Sequence, residues 1–217
     1  MVLRGPKDAV LAPLLVGPVL RLDPLALTLA GGAVGLAAGG VAALGEPWIA
    51  LALYLLNRVL DGLDGALARA VGRPSDGGAY LDIVLDHTVH AALSLGLAVW
   101  LGTPTAWAVT AAVLAAFYVN GATWMYLSAL LEKRRVGAAA RGETTSVSMP
   151  PGLVEGTESI AYYVLVLALP AQLVPLSAAM AALVVVGAAH RTLWGLRRLS
   201  TTPSPALPSP TPRGARP

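Results

Sequence analysis

Four aspartates stand inside apolar sequence: Asp61 and Asp64, then Asp82 and Asp86, opened by the segment DGLDGALAR from Asp61 to Arg69. An ionised side chain at the centre of a membrane helix costs roughly 3 kcal/mol on insertion scales, so it marks a pathway, a partner or a catalytic site. Four acids facing one another need strong compensation to stay charged. A pair of divalent cations would supply it, and carboxylate oxygen suits Mg²⁺, Mn²⁺ or Ca²⁺. Helix–helix salt bridging is the other use for such acids, and Arg58, Arg69 and Arg73 are the cations near enough in sequence to serve it.

Residues three or four apart share a helix face. Asp61, Asp64 and Ala68 therefore form one stripe, and Asp82 and Asp86 a second on the following helix. The segment GRPSDGG, residues 72–78, reads as a turn between them, with Ser75 or Asp76 able to cap the next helix. A turn that short makes the two helices antiparallel neighbours, so the stripes can converge. Gly65 and Gly78 remove side chains where a substrate would lie against backbone. Arg69 is a fixed cation suited to a phosphate or a buried carboxylate. Asn57 can orient Asp61 or hydrogen-bond to another helix. His90, one turn beyond Asp86, could support that carboxylate from behind, whereas His87 points elsewhere; for each, a hydrogen-bonded or interfacial histidine is the expected reading.

The elements that must position these residues are read from composition. The chain is 56% hydrophobic and 12% charged, with a mean hydropathy of +0.68. Five or six segments are long enough to cross a hydrocarbon core about 30 Å thick. They are expected at 24–44, from 47 through the DGLDGALAR segment, 79–101, 104–131, 153–169 and 176–196. The expected fold is an all-α integral membrane protein with six transmembrane helices. Residues 1–22 form an N-terminal juxtamembrane segment, which could hold a short interfacial helix carrying Lys7 and Arg21. Residues 23–200 form the six-span domain, and residues 201–217 a disordered Pro-rich tail. The N-terminus does not read as a cleavable signal, since MVLRGPKDAV is polar and Pro13 and Pro18 interrupt the apolar residues after it.

Gly31, Gly35 and Gly39 recur at four-residue spacing in the first span, which lets another backbone approach closely. Packing within the bundle is the expected use, and a homodimer through this face the alternative. Cysteine is absent, which excludes disulfides, zinc–thiolate sites and thiol nucleophiles. The pI near 9.5 points to anionic lipid headgroups rather than nucleic acid, because the basic residues flank the apolar spans. Every Lys and Arg falls at the end that the termini share with the loops after the second and fourth spans. Excess positive charge stays cytoplasmic, so both termini and the carboxylates are expected on that side of the cell membrane.

The spacing Asp61-x2-Asp64-Gly65-x2-Ala68-Arg69-x8-Gly78-x3-Asp82-x3-Asp86 resembles the CDP-alcohol phosphatidyltransferase signature at every fixed position. The segments LLNRVLDGLDGALAR and GLVEGTES look most like bacterial inner-membrane members of that family. The resemblance implies metal-dependent transfer of a phosphatidyl group from a CDP-linked donor, CDP-diacylglycerol or another CDP-alcohol, to an alcohol acceptor. CMP would leave, and the product would be a phospholipid. By the same resemblance Asp61, Asp64 and Asp82 hold metal, two ions of Mg²⁺ or Mn²⁺. Asp86 lies close to the second ion and is the candidate base, and Gly65, Ala68, Arg69 and Gly78 line the CDP pocket. Alternatives are transfer from a water-soluble CDP-alcohol to a lipid, and a divalent-cation transporter. A transporter would account for the acids but not for the Gly65, Ala68, Arg69 and Gly78 spacing. Glu155 and Glu158, at the start of the fifth span, would favour hydroxyl-rich or cationic acceptors if they face the cavity. The loop cations Arg134, Arg135 and Arg141 are their alternative partners.

Overall fold

The computed structural model describes Gly17 and residues 19–134 and 156–201. A 3-10 turn, Val19–Arg21, leads into six α-helices among these residues: α1 Pro24–Ala43, α2 Pro47–Ala70, α3 Asp76–Leu101, α4 Pro104–Lys133, α5 Gly156–Ala168 and α6 Leu173–Thr201, with a second 3-10 turn, Pro170–Gln172, between α5 and α6. Lys7, Arg135, Arg141, Glu155 and the 202–217 tail lie outside the described residues.

The helix starts have local causes. Pro24 and Pro47 each open a helix, where a missing N–H costs nothing and φ is already helical. Asp23 caps α1 by accepting from the Leu25 amide at 2.8 Å. The α1–α2 and α3–α4 connections are tight because Gly45 (φ 85°) and Gly102 (φ 63°) take left-handed conformations.

Among the described residues, four stretches are long and apolar enough to cross a membrane: 24–43, 76–101, 104–133 and 170–201. Large apolar side chains such as Leu29, Val99, Trp107, Leu183 and Leu193 stand exposed along them, as lipid-facing positions must. The other two helices of the expected six depart from that pattern for separate reasons. α2 is 24 residues long but carries Asn57, Arg58, Asp61, Asp64 and Arg69. α5 has 13 described residues, which at 1.5 Å each reach about 20 Å.

The described chain divides into two compact units. The first holds α1, α2, α3, the part of α4 up to Tyr118, α5 and the part of α6 up to Val184. Its core joins Tyr54 of α2, Val89, Leu93 and Leu97 of α3, Val113 of α4, Tyr163 and Leu167 of α5, and Leu173 and Val184 of α6. The glycine stripe of α1 is spent inside this unit: Gly31 lies against Leu60, Gly35 against Val89 and Asn57, and Gly39 against the backbone of Ala92. The face therefore serves packing within the bundle rather than an external partner. The second unit holds the remainder of α4 and of α6. There Arg191 donates to Asn120 Oδ1 at 2.6 Å, Arg134 donates to the Leu199 carbonyl, and Leu127 fills the space over Gly195.

Candidate functional site

The α2–α3 hairpin builds the site. α2 ends at Ala70, Gly72 (φ 66°) reverses the chain, and the Arg73 amide reaches back to the Ala68 carbonyl at 2.8 Å. Ser75 then caps α3, its Oγ accepting from the Gly78 amide at 3.0 Å. Of the two expected capping residues Ser75 performs the role, and Asp76 occupies the first turn. A Cβ at position 78 would lie 3.0 Å from the Ser75 hydroxyl, so the cap itself favours glycine there.

The hairpin brings all four aspartates to one cavity, which Thr28, Gly31, Gly32, Asn57, Arg58 and Leu85 complete. Asp64 is buried, while Asp61, Asp82 and Asp86 are half-buried. The Asp82 carboxyl lies within hydrogen-bonding reach of Asp61. Arg58 enters the same group of charges. Its Nη1 stands 2.5 Å from Asp86 Oδ1 and 3.8 Å from Asp61 Oδ2, so one guanidinium bridges the two carboxylate stripes. Asn57 holds that guanidinium through Oδ1, which accepts from Arg58 Nε at 2.9 Å and Nη2 at 2.6 Å. Asn57 Nδ2 is in turn anchored to the Gly31 carbonyl on α1 at 2.8 Å. Of the two roles open to Asn57, it takes the interhelical one.

His90 and its neighbours form a layer beneath the carboxylates. His90 Nδ1 lies 3.8 Å from Asp86 Oδ2, and Nε2 lies 3.1 Å from the Tyr54 hydroxyl. The ring stacks on Tyr163 of α5 with centroids 4.5 Å apart and planes 3° from parallel. Tyr54 also lies under the Arg58 guanidinium, 5.3 Å from the ring centroid. His87 points away from this cluster, exposed and bonded to the Ile83 carbonyl at 2.8 Å. Tyr54 and Tyr163 are functional candidates that the motif does not contain. Tyr54 is visible in retrospect, because Tyr54, Arg58 and Asp61 succeed one another at helical spacing on α2. Tyr163 gives no such signal, since it sits on another element.

Gly65, Ala68, Arg69 and Gly78 are not among the residues that line the cavity. Gly65 and Arg69 are neighbours on α2, and a Cβ at position 65 would come within 3.3 Å of the Arg69 guanidinium. Arg69 is exposed, and Gly78 lies at the opposite end of the turn. Glu158 is exposed in the first turn of α5.

The donor set suits a hard divalent cation: four carboxylates, no sulfur, and two of the acids close enough to share a hydrogen. As the side chains stand, no three His, Asp or Glu groups among the described residues converge on one ion position. Arg58 holds the place between Asp61 and Asp86. An ion entering there would take over the countercharge that Arg58 supplies.

Fold and site together define a helical membrane protein with a carboxylate cluster at the hairpin of its second and third helices. The chain belongs to the CDP-alcohol phosphatidyltransferase family, whose model matches residues 22–194, and is an enzyme of phospholipid synthesis. It is 38% identical over 151 residues to the inner membrane protein YnjF of Escherichia coli, covering 69% of this chain and 71% of that protein. It is 33% identical over 107 residues to phosphatidylinositol phosphate synthase of Cutibacterium acnes, covering 48% of this chain and half of that one. The fold is shared with Mycobacterium tuberculosis phosphatidylinositol phosphate synthase. With manganese and citrate, that structure gives a TM-score of 0.58 at 21% identity over 91% of this chain and 89% of its own. With CDP-DAG bound, it gives 0.53 at 22% identity, over 91% and 92%.

Proposed function

We propose that the protein transfers a phosphatidyl group from CDP-diacylglycerol to an alcohol and releases CMP. The observation that carries the reading is the gathering of Asp61, Asp64, Asp82 and Asp86 around one cavity between α1, α2 and α3. The Mycobacterium tuberculosis neighbour with CDP-DAG bound supports the donor, and its manganese complex supports the ion.

In this reading the four aspartates hold two ions, Mg²⁺ or Mn²⁺. Held by these residues, such ions would supply positive charge to the donor pyrophosphate and to the departing CMP phosphate. Asp86 takes the proton of the acceptor hydroxyl. The acceptor oxygen forms a bond to the phosphorus that carries diacylglycerol, and the bond from that phosphorus to the CMP phosphate oxygen breaks. Arg58, released from Asp86, remains on α2 beside the reacting phosphates as a second positive group. Gly65, Ala68, Arg69 and Gly78 receive the cytidine nucleotide, the two glycines admitting it close to backbone. The helices span the membrane six times with both termini and the site at the cytoplasmic face, consistent with the distribution of Lys and Arg.

For the acceptor, Glu158 would favour a hydroxyl-rich or cationic alcohol if the acceptor approaches past the start of α5, because a carboxylate repels phosphate dianions. The relative from Cutibacterium acnes is named for a phosphorylated inositol product, so inositol phosphate belongs in any acceptor panel. CMP release from CDP-diacylglycerol by the purified protein, dependent on Mg²⁺ or Mn²⁺, tests the reading. Release only from a water-soluble CDP-alcohol with a lipid acceptor would reverse the donor assignment. Metal uptake into vesicles without CMP release would favour transport.

A further inference from the structure

We propose that His90 is a positioning residue for Asp86, held in place by Tyr54 and Tyr163; this rests on the reaction proposed above, in which Asp86 accepts the acceptor's proton. His90 stands one helical turn from Asp86 on α3 and is fixed by residues of two other helices, α2 and α5. Its ring stacks on Tyr163 of α5, and the Tyr163 hydroxyl donates to the His90 carbonyl at 3.0 Å. That hydroxyl therefore accepts from Ser94 Oγ at 2.9 Å, since its one proton is already used. Both ring face and backbone of His90 are locked.

The tautomer is set by Tyr54. The phenol is fully buried, and its hydroxyl meets His90 Nε2 at 3.1 Å. A buried phenol that accepts there without donating would leave its own proton unsatisfied, so Tyr54 donates and Nε2 accepts. The ring proton is then on Nδ1, the nitrogen that faces Asp86 Oδ2 at 3.8 Å. Arg58 takes the other oxygen, Oδ1, at 2.5 Å. Asp86 is thereby bound by Arg58 at one oxygen and has the His90 N–H 3.8 Å from the other, a small closure short of a hydrogen bond that remains open to it when Arg58 moves to the phosphates. An outer partner that orients a working carboxylate is worth about 10- to 100-fold in activity or metal affinity.

The test compares His90→Phe, which keeps a stacking ring without the N–H, with His90→Asn, whose side-chain amide can place an N–H near the position of Nδ1. With CDP-diacylglycerol and the best acceptor, His90→Phe should lower kcat about 10- to 100-fold with the donor KM unchanged, and His90→Asn should recover most of it. Equal activity of wild type and His90→Phe would overturn the proposal. So would equal losses in both variants accompanied by a raised donor KM, which mark a structural role only. A second readout is independent of turnover: ¹⁵N spectra of histidine-labelled protein, with His90 assigned by its loss in His90→Asn. The expected spectrum has His90 in the Nδ1–H form, shifted by Asp86→Asn and by Tyr54→Phe. An Nε2–H form would refute the contact. If wild type releases no CMP, the reaction reading fails, and the ¹⁵N spectrum alone then decides whether His90 serves Asp86.

Discussion

Replacing Gly39 by alanine should force α1 away from α3, whereas the same change at the adjacent Gly40 should not. A Cβ at position 39 would lie 2.7 Å from Ala92 Cβ, 2.8 Å from its carbonyl carbon and 2.9 Å from its carbonyl oxygen. Carbon atoms rest about 3.5–4.0 Å apart, so the overlap approaches 1 Å. Two of the three atoms are backbone, and no rotamer change can relieve them. Overpacking costs about 1–3 kcal/mol, and a site that cannot yield belongs at the upper end. Gly→Ala within a helix returns about 1 kcal/mol of propensity at either position. Gly39→Ala should therefore lose about 2 kcal/mol net. Gly40→Ala, with nothing within 4 Å of its new methyl, should gain about 1 kcal/mol. For a chain of this size that is a melting temperature lower by about 4–8 °C in one variant and higher by about 2–4 °C in the other. The assay is thermal unfolding in detergent, monitored by circular dichroism. Turnover should fall in Gly39→Ala as well, because α1 carries the Gly31 carbonyl that anchors Asn57 and, through it, Arg58. If Gly39→Ala melts as high as Gly40→Ala, the close α1–α3 approach is not what holds the site together.

The remaining predictions concern the cavity itself. Asp61→Asn and Asp82→Asn should each reduce CMP release to background while the protein stays folded in detergent, and treatment with EDTA should do the same to wild type. Retained activity in either variant would remove these residues from the metal site. Gly65→Leu should push against the Arg69 guanidinium and weaken cytidine-nucleotide binding by roughly 10-fold, about 1.4 kcal/mol, with Mn²⁺ affinity unchanged. Equal thermal stabilisation of wild type and variant by CDP would put the nucleotide elsewhere. Glu158→Gln should raise the acceptor KM with little effect on the donor. A phosphorylated alcohol as the best acceptor would show that Glu158 does not read the substrate.

The hairpin was legible from spacing alone. Asp61, Asp64, Asp82 and Asp86 lie at helical intervals on either side of a Gly/Pro turn, and the structure brings them to one cavity. Helix starts were legible where a proline or a cap announced them, as at Pro24, Pro47 and Ser75. Helix ends were less so. The sixth apolar segment was expected to stop near 196, yet α6 continues to Thr201. Hydropathy falls at Arg197 and Arg198, but arginine is a good helix former, so apolarity ended before helicity did. Arg58 was legible as one of three cations able to pair with these acids, but its choice of Asp86 was not, because spacing gives the face of one helix and not the rotamer that crosses to the next. The stack of His90 on Tyr163 was hidden for a related reason: it joins α3 to α5, which are remote in sequence. Local periodicity carries no information about which distant faces meet.

The most direct measurement is a lipid-product mass spectrum. Purified protein would receive CDP-diacylglycerol, Mg²⁺ or Mn²⁺ and a panel of alcohols that includes glycerol, inositol, glycerol phosphate and inositol phosphate. The expected product is one new phospholipid whose mass is the phosphatidyl group joined to one acceptor, formed in step with CMP and lost in EDTA and in Asp82→Asn. CDP-diacylglycerol left intact with every alcohol, or a product formed equally well without the metal or without Asp82, would contradict the proposed reaction.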